Sequence, residues 1–255
     1  MFSMSNMNEM MYYDLKDASG VAPGLALQVS RELGRRIVAG HYKENTLIED
    51  EGKLSQRFGV SKSVIREGVK LLVSKGLLEV RRGSGTRVRS RANWALLDDD
   101  VLAWHLSVDP KPSFLRQLLD MRHMMEPKAA GWAAKNRTLE QLSEIEFAQH
   151  RMEQGSESIE DFVVADALFH RAVLRAANNE LLLSMEGVIF SALLSSIRLT
   201  NSDPRKNLNS IPFHRKVLEA IKSRDHTLAE EMMTAHLSDT SQRLESALRV
   251  RQGAQ

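Results

Sequence analysis

The stretch GHYKENTLIEDEGKLSQRFGVSKSVIREGVKLLVSKGLLEVRRGSGTRV, Gly40 to Val88, decides the reading of this chain. Two short helical runs, roughly Asp50 to Phe58 and Lys62 to Lys75, are separated only by Gly59, Val60 and Ser61, the spacing of a helix-turn-helix. Ser61 stands where an N-cap hydroxyl accepts a backbone N–H of the following turn, so the second helix has a sharp start. Along that helix Lys62, Arg66 and Lys70 recur at i, i+4 and i+8 beside Ser63, while Ile65, Val69 and Leu72 fall on another face. One face is basic and the other packs. Beyond it, LLEV (Leu77 to Val80) and TRV (Thr86 to Val88) are short strand-like runs, and Gly83-Ser84-Gly85 between them offers the positive-φ residues of a tight hairpin. A third helix precedes the pair: Leu25, Val29, Leu33 and Ile37 form an i, i+4 stripe ending near Gly40. Helix, helix, helix, hairpin is the outline of a winged helix.

The charge distribution points the same way. From Arg31 to Arg91 there are 15 Lys/Arg against 7 Asp/Glu, an excess of +8 in a chain whose net charge is +2, so the remainder is acidic. A basic segment of that size suits a polyanion, because each neutralised phosphate releases condensed counterions. A helix offering Lys and Arg from its first turns can enter the major groove. There Arg66 is the candidate base reader, forking onto guanine O6 and N7, with Lys and Ser side chains holding phosphate. In the hairpin, Arg81, Arg82 and Arg87 flank a glycine tip small enough to approach DNA; a solvated hairpin without contacts is the plainer alternative.

The 255 residues are enough for two domains, each with its own core. With no cysteine, a disulfide framework and a thiolate metal site are both excluded, and any metal must sit on nitrogen and oxygen. The first residues read as a disordered tail over 1–22, with neither a basic end followed by an apolar run nor any membrane-length apolar stretch in the chain. The expectation is a cytoplasmic protein with no membrane partner. The winged helix is placed at 23–90, a linker at 91–96, and an all-helical domain at 97–250. The fold class is therefore mainly α, a winged helix-turn-helix plus an antiparallel helical bundle. The bundle's helices fall roughly at Pro112 to Lys135, Leu139 to Glu153, Ile159 to Ala177, Glu180 to Leu199, Pro212 to Arg224 and Thr227 to Val250. Pro127 should kink the first of them or begin a new segment.

Within that bundle Asp166 and His170 stand at i, i+4 in VADALFHRAV, which puts a carboxylate and an imidazole on one face of a largely apolar helix. His214 opens FHRKVLEAI and His236 lies in MMTAHLSDT. Asp plus three His suits zinc, nickel or manganese, with an open position for a ligand. Spacing alone equally allows hydrogen-bonded core histidines. Thr240 and Arg243 follow His236 at i+4 and i+7 on the same helical face and are candidates to line the same pocket.

Gly40 to Val88 resembles the winged helix of GntR-family regulators, whose "gvSrtpVReaL..L...Glv....g.G..V" pattern this stretch matches nearly throughout. The resemblance implies DNA contacts from Lys62, Arg66, Arg82 and Gly83. Gly52 stands where many relatives carry arginine, Asn45 where a glycine turn is usual, and Lys62 where arginine is common, which implies a different operator. The region from about Leu97 to Leu248 is similar to the FCD effector domain of the FadR-type branch. In that domain a D...H pair, a histidine in an "eH..il.AI" segment and a late helical histidine hold the metal, matching Asp166, His170, His214 and His236. Phe213 replaces the glutamate that commonly precedes the third ligand. The domain's R...E pair is matched by Arg122 and Glu126, and Arg122 could fork onto an effector carboxylate; the plainer alternative is an i, i+4 salt bridge on a solvated face.

Asn93 to Leu106, NWALLDDDVLAWHL, is similar to the opening of the effector domain in galactonate-operon repressors and related sugar-acid regulators, with Trp94 and Trp104 read as packing residues. Together these resemblances imply a homodimeric repressor of double-stranded operator DNA, released by an aldonate or hexuronate bound at a divalent metal, zinc foremost. Two other readings remain open at this point. One is a metal-dependent enzyme fused to a DNA module, for which no catalytic motif is evident. The other is a metal-free regulator that responds to an acyl-cofactor.

Overall fold

The computed structural model describes residues 4–16, 24–108, 111–155, 158–200 and 209–253. The chain divides into two compact units, Met1–Asp109 and Pro110–Gln255.

The first unit is a winged helix with an additional helix at either end: α1 (Met4–Leu15), α2 (Leu25–Val38), α3 (Glu51–Phe58), α4 (Lys62–Ser74), β1 (Leu78–Arg81), β2 (Gly85–Val88) and α5 (Asp99–Leu106). Asp50 caps α3, accepting from Lys53 N at 3.0 Å, and Ser61 caps α4, accepting from Val64 N at 3.4 Å. Between them Gly59 adopts φ 63°, a left-handed conformation that ends α3 without the steric penalty a Cβ would bring. The wing is antiparallel, with Leu78 opposite Val88 and Arg81 opposite Gly85. Its outer strand is extended by the backbone of Asn45 to Ile48: Asn45 N donates to Val88 O at 2.9 Å and Ile48 N to Thr86 O at 3.0 Å. The core joins Leu33 and Ile37 of α2, Leu54 of α3, Ile65 and Leu72 of α4, Leu78 and Val88 of the wing, and Trp104 of α5. Gly34 is where α5 docks, since a Cβ there would stand 2.4 Å from the Trp104 ring.

Two features differ from the sequence reading. Of the segment read as a disordered tail, residues 4–15 form α1, and the remainder of that segment lies outside the described residues apart from Lys16. Tyr12 is fully buried and its hydroxyl donates to Asp99 at 2.7 Å; Tyr13 donates to Asp100 at 2.6 Å; Arg35 grips the buried Glu9 carboxylate at 2.7 and 2.9 Å. The helix forms because its partners stand on α2 and α5, not because of its own periodicity. The second difference is the boundary. The segment 91–96 read as a linker is packed: Trp94 is buried, its Nε1 donates to Arg89 O at 3.0 Å, and Ala95 N donates to Lys75 O at 2.9 Å. Both tryptophans are packing residues, and α5 belongs with the winged helix, so the second unit begins after it.

The second unit is the helical bundle: α6 (Pro112–Asn136), α7 (Leu139–Gln154), α8 (Ile159–Ala176), α9 (Glu180–Leu183), α10 (Glu186–Thr200), α11 (Ile211–Lys222) and α12 (His226–Gly253). Helix α6 packs on α8, α10, α11 and α12, while α7 packs on α8 and α11. Thr138 opens α7 with a capping box in which its hydroxyl accepts from Gln141 N and the Gln141 side chain accepts from Thr138 N. Helix α6 runs through Pro127 as one element, so no new segment starts there. The single helix read from Glu180 to Leu199 is instead α9 and α10, the break falling where Ser184 turns its hydroxyl back to Leu181 O at 2.7 Å. Among the described residues no helix is long and apolar enough to cross a membrane.

Candidate functional sites

Helix α4 presents the side chains singled out in its sequence. Lys62, Ser63, Arg66 and Lys70 are exposed while Ile65, Val69 and Leu72 are buried in the core. Ser61 is also exposed, its hydroxyl 2.8 Å from Ser63 Oγ. Arg66 donates from Nε to Glu51 at 2.8 Å, and Lys70 donates to Glu67 at 2.7 Å. At the wing tip Arg82 and Gly83 are exposed, Gly83 at φ 76°. Arg87 is different, half-buried and donating to the Asn45 carbonyl, so it braces the wing.

The second cluster is buried in the bundle. Helix α8 supplies Asp166 and His170, α11 supplies His214 and α12 supplies His236; one ligand atom from each lies within 4.8 Å of all the others. His214 Nε2 is 2.8 Å from Asp166 Oδ1 and 3.4 Å from His170 Nε2, and His170 Nε2 is 3.3 Å from Asp166 Oδ1. Bonds of 2.0 to 2.2 Å in a tetrahedral site imply ligand separations of roughly 3.3 to 3.6 Å, so Asp166, His170 and His214 stand close to the spacing an ion requires. His214 Nδ1 is 2.9 Å from Ser210 O, the kind of outer partner a ligand histidine keeps, and His170 Nδ1 lies at ion-pair distance, 2.5 Å, from Glu126 Oε2 without a well-aligned hydrogen bond. These contacts leave both Nε2 atoms facing Asp166. His236 Nδ1 is buried without a hydrogen-bond partner. The donor set, one carboxylate and three imidazoles converging on one point, fits a divalent metal.

Arg122 joins this cluster from α6. It is 2% exposed, donates from Nε to Glu126 at 2.5 Å, and holds Nη2 3.1 Å from His170 Nε2. The solvated salt bridge that the sequence also allowed is excluded. Thr240 and Arg243, by contrast, bond along α12: Thr240 donates to the His236 carbonyl at 3.1 Å, and Arg243 pairs with Asp239 at 2.8 Å. Their shared face with His236 does not bring them into the ligand cluster. The contact that the sequence did not reveal is Glu126 to His170. The two residues are far apart in the chain, with no motif joining them.

The electrostatics follow from burial and pairing. Burial pushes the Glu126 carboxyl up, but the charges of Arg122 and His170 outweigh it and bring it down to about 2. Burial also opposes ionisation of Asp166, yet hydrogen bonds from His170 and His214 hold it well below the usual carboxylate range. His170 is pushed down by burial and raised on balance by the Glu126 carboxylate. Burial, with the neighbouring histidines behind it, keeps His236 well below its ordinary value and therefore neutral. The ionised Asp166 and the neutral His236 are in the protonation states a metal needs, whereas a proton favoured on His170 has to leave when an ion binds.

A winged helix with an exposed basic helix face, followed by an all-helical domain, is the architecture of a DNA-binding regulator. Comparison with known proteins gives the family. Residues 25–88 match the model of bacterial regulatory proteins of the gntR family, and residues 117–239 match the FCD domain. The chain is 31% identical over 213 residues to the galactonate operon transcriptional repressor of Escherichia coli (strain K12), covering 83% of this chain and 93% of that one. It is 25% identical over 225 residues to the Glc operon transcriptional activator of the same strain, covering 85% and 87%. The fold is shared with a solved structure titled as Lar, which controls the expression of the Listeria monocytogenes agr system, at a TM-score of 0.62 and 18% identity over 90% of this chain and 99% of that one. The chain belongs to the GntR family of transcriptional regulators and carries an FCD domain.

Proposed function

We propose that the protein is a homodimeric cytoplasmic repressor whose winged helix binds double-stranded operator DNA and whose helical domain releases it on binding a sugar acid, an aldonate or hexuronate. The observation that carries the sensing half is the convergence of Asp166, His170, His214 and His236 on one buried point. A divalent metal held by these four, zinc foremost with nickel or manganese as alternatives, supplies a Lewis-acidic position for an effector carboxylate. Arg122 serves the same ligand. Its Nε and Nη2 are engaged, and among the described residues Nη1 has no protein partner, so a donor remains for a carboxylate oxygen. Glu126 balances the buried guanidinium when no effector is present. Thr240 and Arg243, half-buried on α12 beyond His236, are assigned to more distant parts of a bound effector.

On the DNA side Arg66 reads a base, while Ser61, Lys62, Ser63, Lys70, Arg82 and Gly83 hold the backbone. The choice of a sugar acid and of repression rests on the likeness to the galactonate operon repressor. The effector releases DNA only by binding more tightly to the arrangement that does not hold the operator.

The test is thermal unfolding of the purified protein against a panel of sugar acids, metal-loaded and again after chelation. A ligand at 100 times its Kd adds about 2.7 kcal/mol. One aldonate or hexuronate should raise Tm in the metal-loaded sample alone. A rise that survives chelation would remove the metal from the reading, and a rise with an acyl-cofactor instead would replace the effector class.

A further inference from the structure

We propose that Glu51 is a positioning residue for base reading: its carboxylate takes the Nε–H of Arg66 and leaves the two terminal nitrogens of that guanidinium as a pre-aimed fork. The inference rests on the assignment of Arg66 as base reader.

Glu51 is the first residue of α3 and Arg66 lies on the second turn of α4, yet the two side chains meet at 2.8 Å through Arg66 Nε and Glu51 Oε2. Among the described residues neither Nη1 nor Nη2 of Arg66 has a protein partner, and the side chain is 61% exposed. A guanidinium is planar with five donors in fixed directions, so a bond made at Nε orients the whole group. Guanine is read by two parallel N–H groups aimed at O6 and N7, and the end left free is the Nη pair. Lys70 offers a contrast, because its single ammonium is drawn onto Glu67 and forms no such fork.

The pair is not there for stability. Glu51 and Arg66 are both substantially exposed, and exposed ion pairs contribute little to folding. Nor does a carboxylate on a DNA-facing surface increase affinity, since it repels phosphate. What it provides is orientation. Arg66 is otherwise a long, flexible side chain on a solvated surface, and ordering it in advance removes entropy that would be lost on binding.

The consequence is selectivity at one base rather than strength. Full-length wild type, E51Q, E51D and R66A are used to select duplexes from a randomised pool at fixed salt, and the selected pools are sequenced. Wild type should show a guanine preference that R66A abolishes. In E51Q that same preference should fall by roughly threefold to tenfold, part of the roughly 5- to 150-fold that a bidentate pair supplies. E51D should restore part of it. Binding of E51Q to unrelated DNA should be equal or tighter, and its Tm unchanged.

An E51Q pool that keeps the full guanine preference overturns the proposal while leaving Arg66 as reader. A preference lost by E51Q at a position that R66A leaves alone also overturns it, by making Glu51 a base reader itself. If R66A leaves every position unchanged, the assignment of Arg66 fails and the positioning role falls with it.

Discussion

The face of α4 and the cluster shared by α8, α11 and α12 use the same kinds of side chain under opposite conditions. Arg66 and Glu51 meet in water; Arg122 and Glu126 meet at 2% and 1% exposure. In water a guanidinium is hydrated with or without its partner, so the ion pair orients it and adds little else. In the bundle each charge depends on the other, and removing one leaves an uncompensated ion. The first arrangement leaves the outer end of the guanidinium open to solvent and to whatever meets that surface. The second suits a site that must be fully formed before a ligand arrives.

Arg122→Ala breaks the comparison at its strongest point. It leaves Glu126 charged and buried with only His170 beside it, and should destabilise the helical domain by about 3 to 5 kcal/mol in urea unfolding. A loss below about 1 kcal/mol would show that water reaches the pair and that the site is solvated. Tyr12→Ala asks whether the N-terminal segment is core or tail. With Tyr12 fully buried and bonded to Asp99, the loss should be about 3 kcal/mol, read as a lowered Tm of the winged-helix transition; an unchanged Tm would return residues 4–15 to a loose tail.

Arg66→Ala should leave unfolding unchanged and cost about 1 to 3 kcal/mol of discrimination between the selected duplex and its guanine-substituted variants in competition binding. Uniform weakening on all duplexes would make Arg66 a phosphate contact. Smallest is Ser61→Ala, which removes the cap of α4 and should cost about 0.5 to 1 kcal/mol of stability by the same unfolding measurement. No loss would mean that its 3.4 Å bond to Val64 N adds nothing to water's own capping.

The winged helix was legible from Gly40 to Val88 because every signal in it is local: a cap at Ser61, a left-handed turn at Gly59, a glycine hairpin and two short amphipathic runs. The bundle's helices were legible from periodicity, apart from the break at Ser184 and Met185, where a serine hydroxyl competes for a backbone carbonyl and neither residue of the break is Pro or Gly. Helix α1 was not legible, because the groups that hold Tyr12 and Tyr13 are Asp99 and Asp100, 87 residues away. The same limit explains α5. Its attachment to the winged helix depends on Trp104 meeting the bare backbone of Gly34, a contact between two helices that no pattern within either one records.

For the ligand cluster, sequence supplied the residue types and the i, i+4 pair on α8, and family resemblance singled out the same four residues. Neither supplied the Glu126 contact to His170. Helical spacing also grouped Thr240 and Arg243 with His236, although the partners of both side chains stand along α12 itself. A shared helical face limits where a side chain can point, but its nearest partner decides where it goes.

The sensing half stands or falls on whether Asp166, His170, His214 and His236 hold an ion, and elemental analysis of the full-length protein purified without a histidine tag measures that directly. Wild type, after exhaustive dialysis against metal-free buffer, should retain one divalent ion per chain, and His214→Ala, checked by circular dichroism to be folded, should retain none. Wild type that carries no metal and gains none when zinc, nickel or manganese is added would reduce the cluster to a hydrogen-bonded core and remove the basis for a metal-dependent sensor.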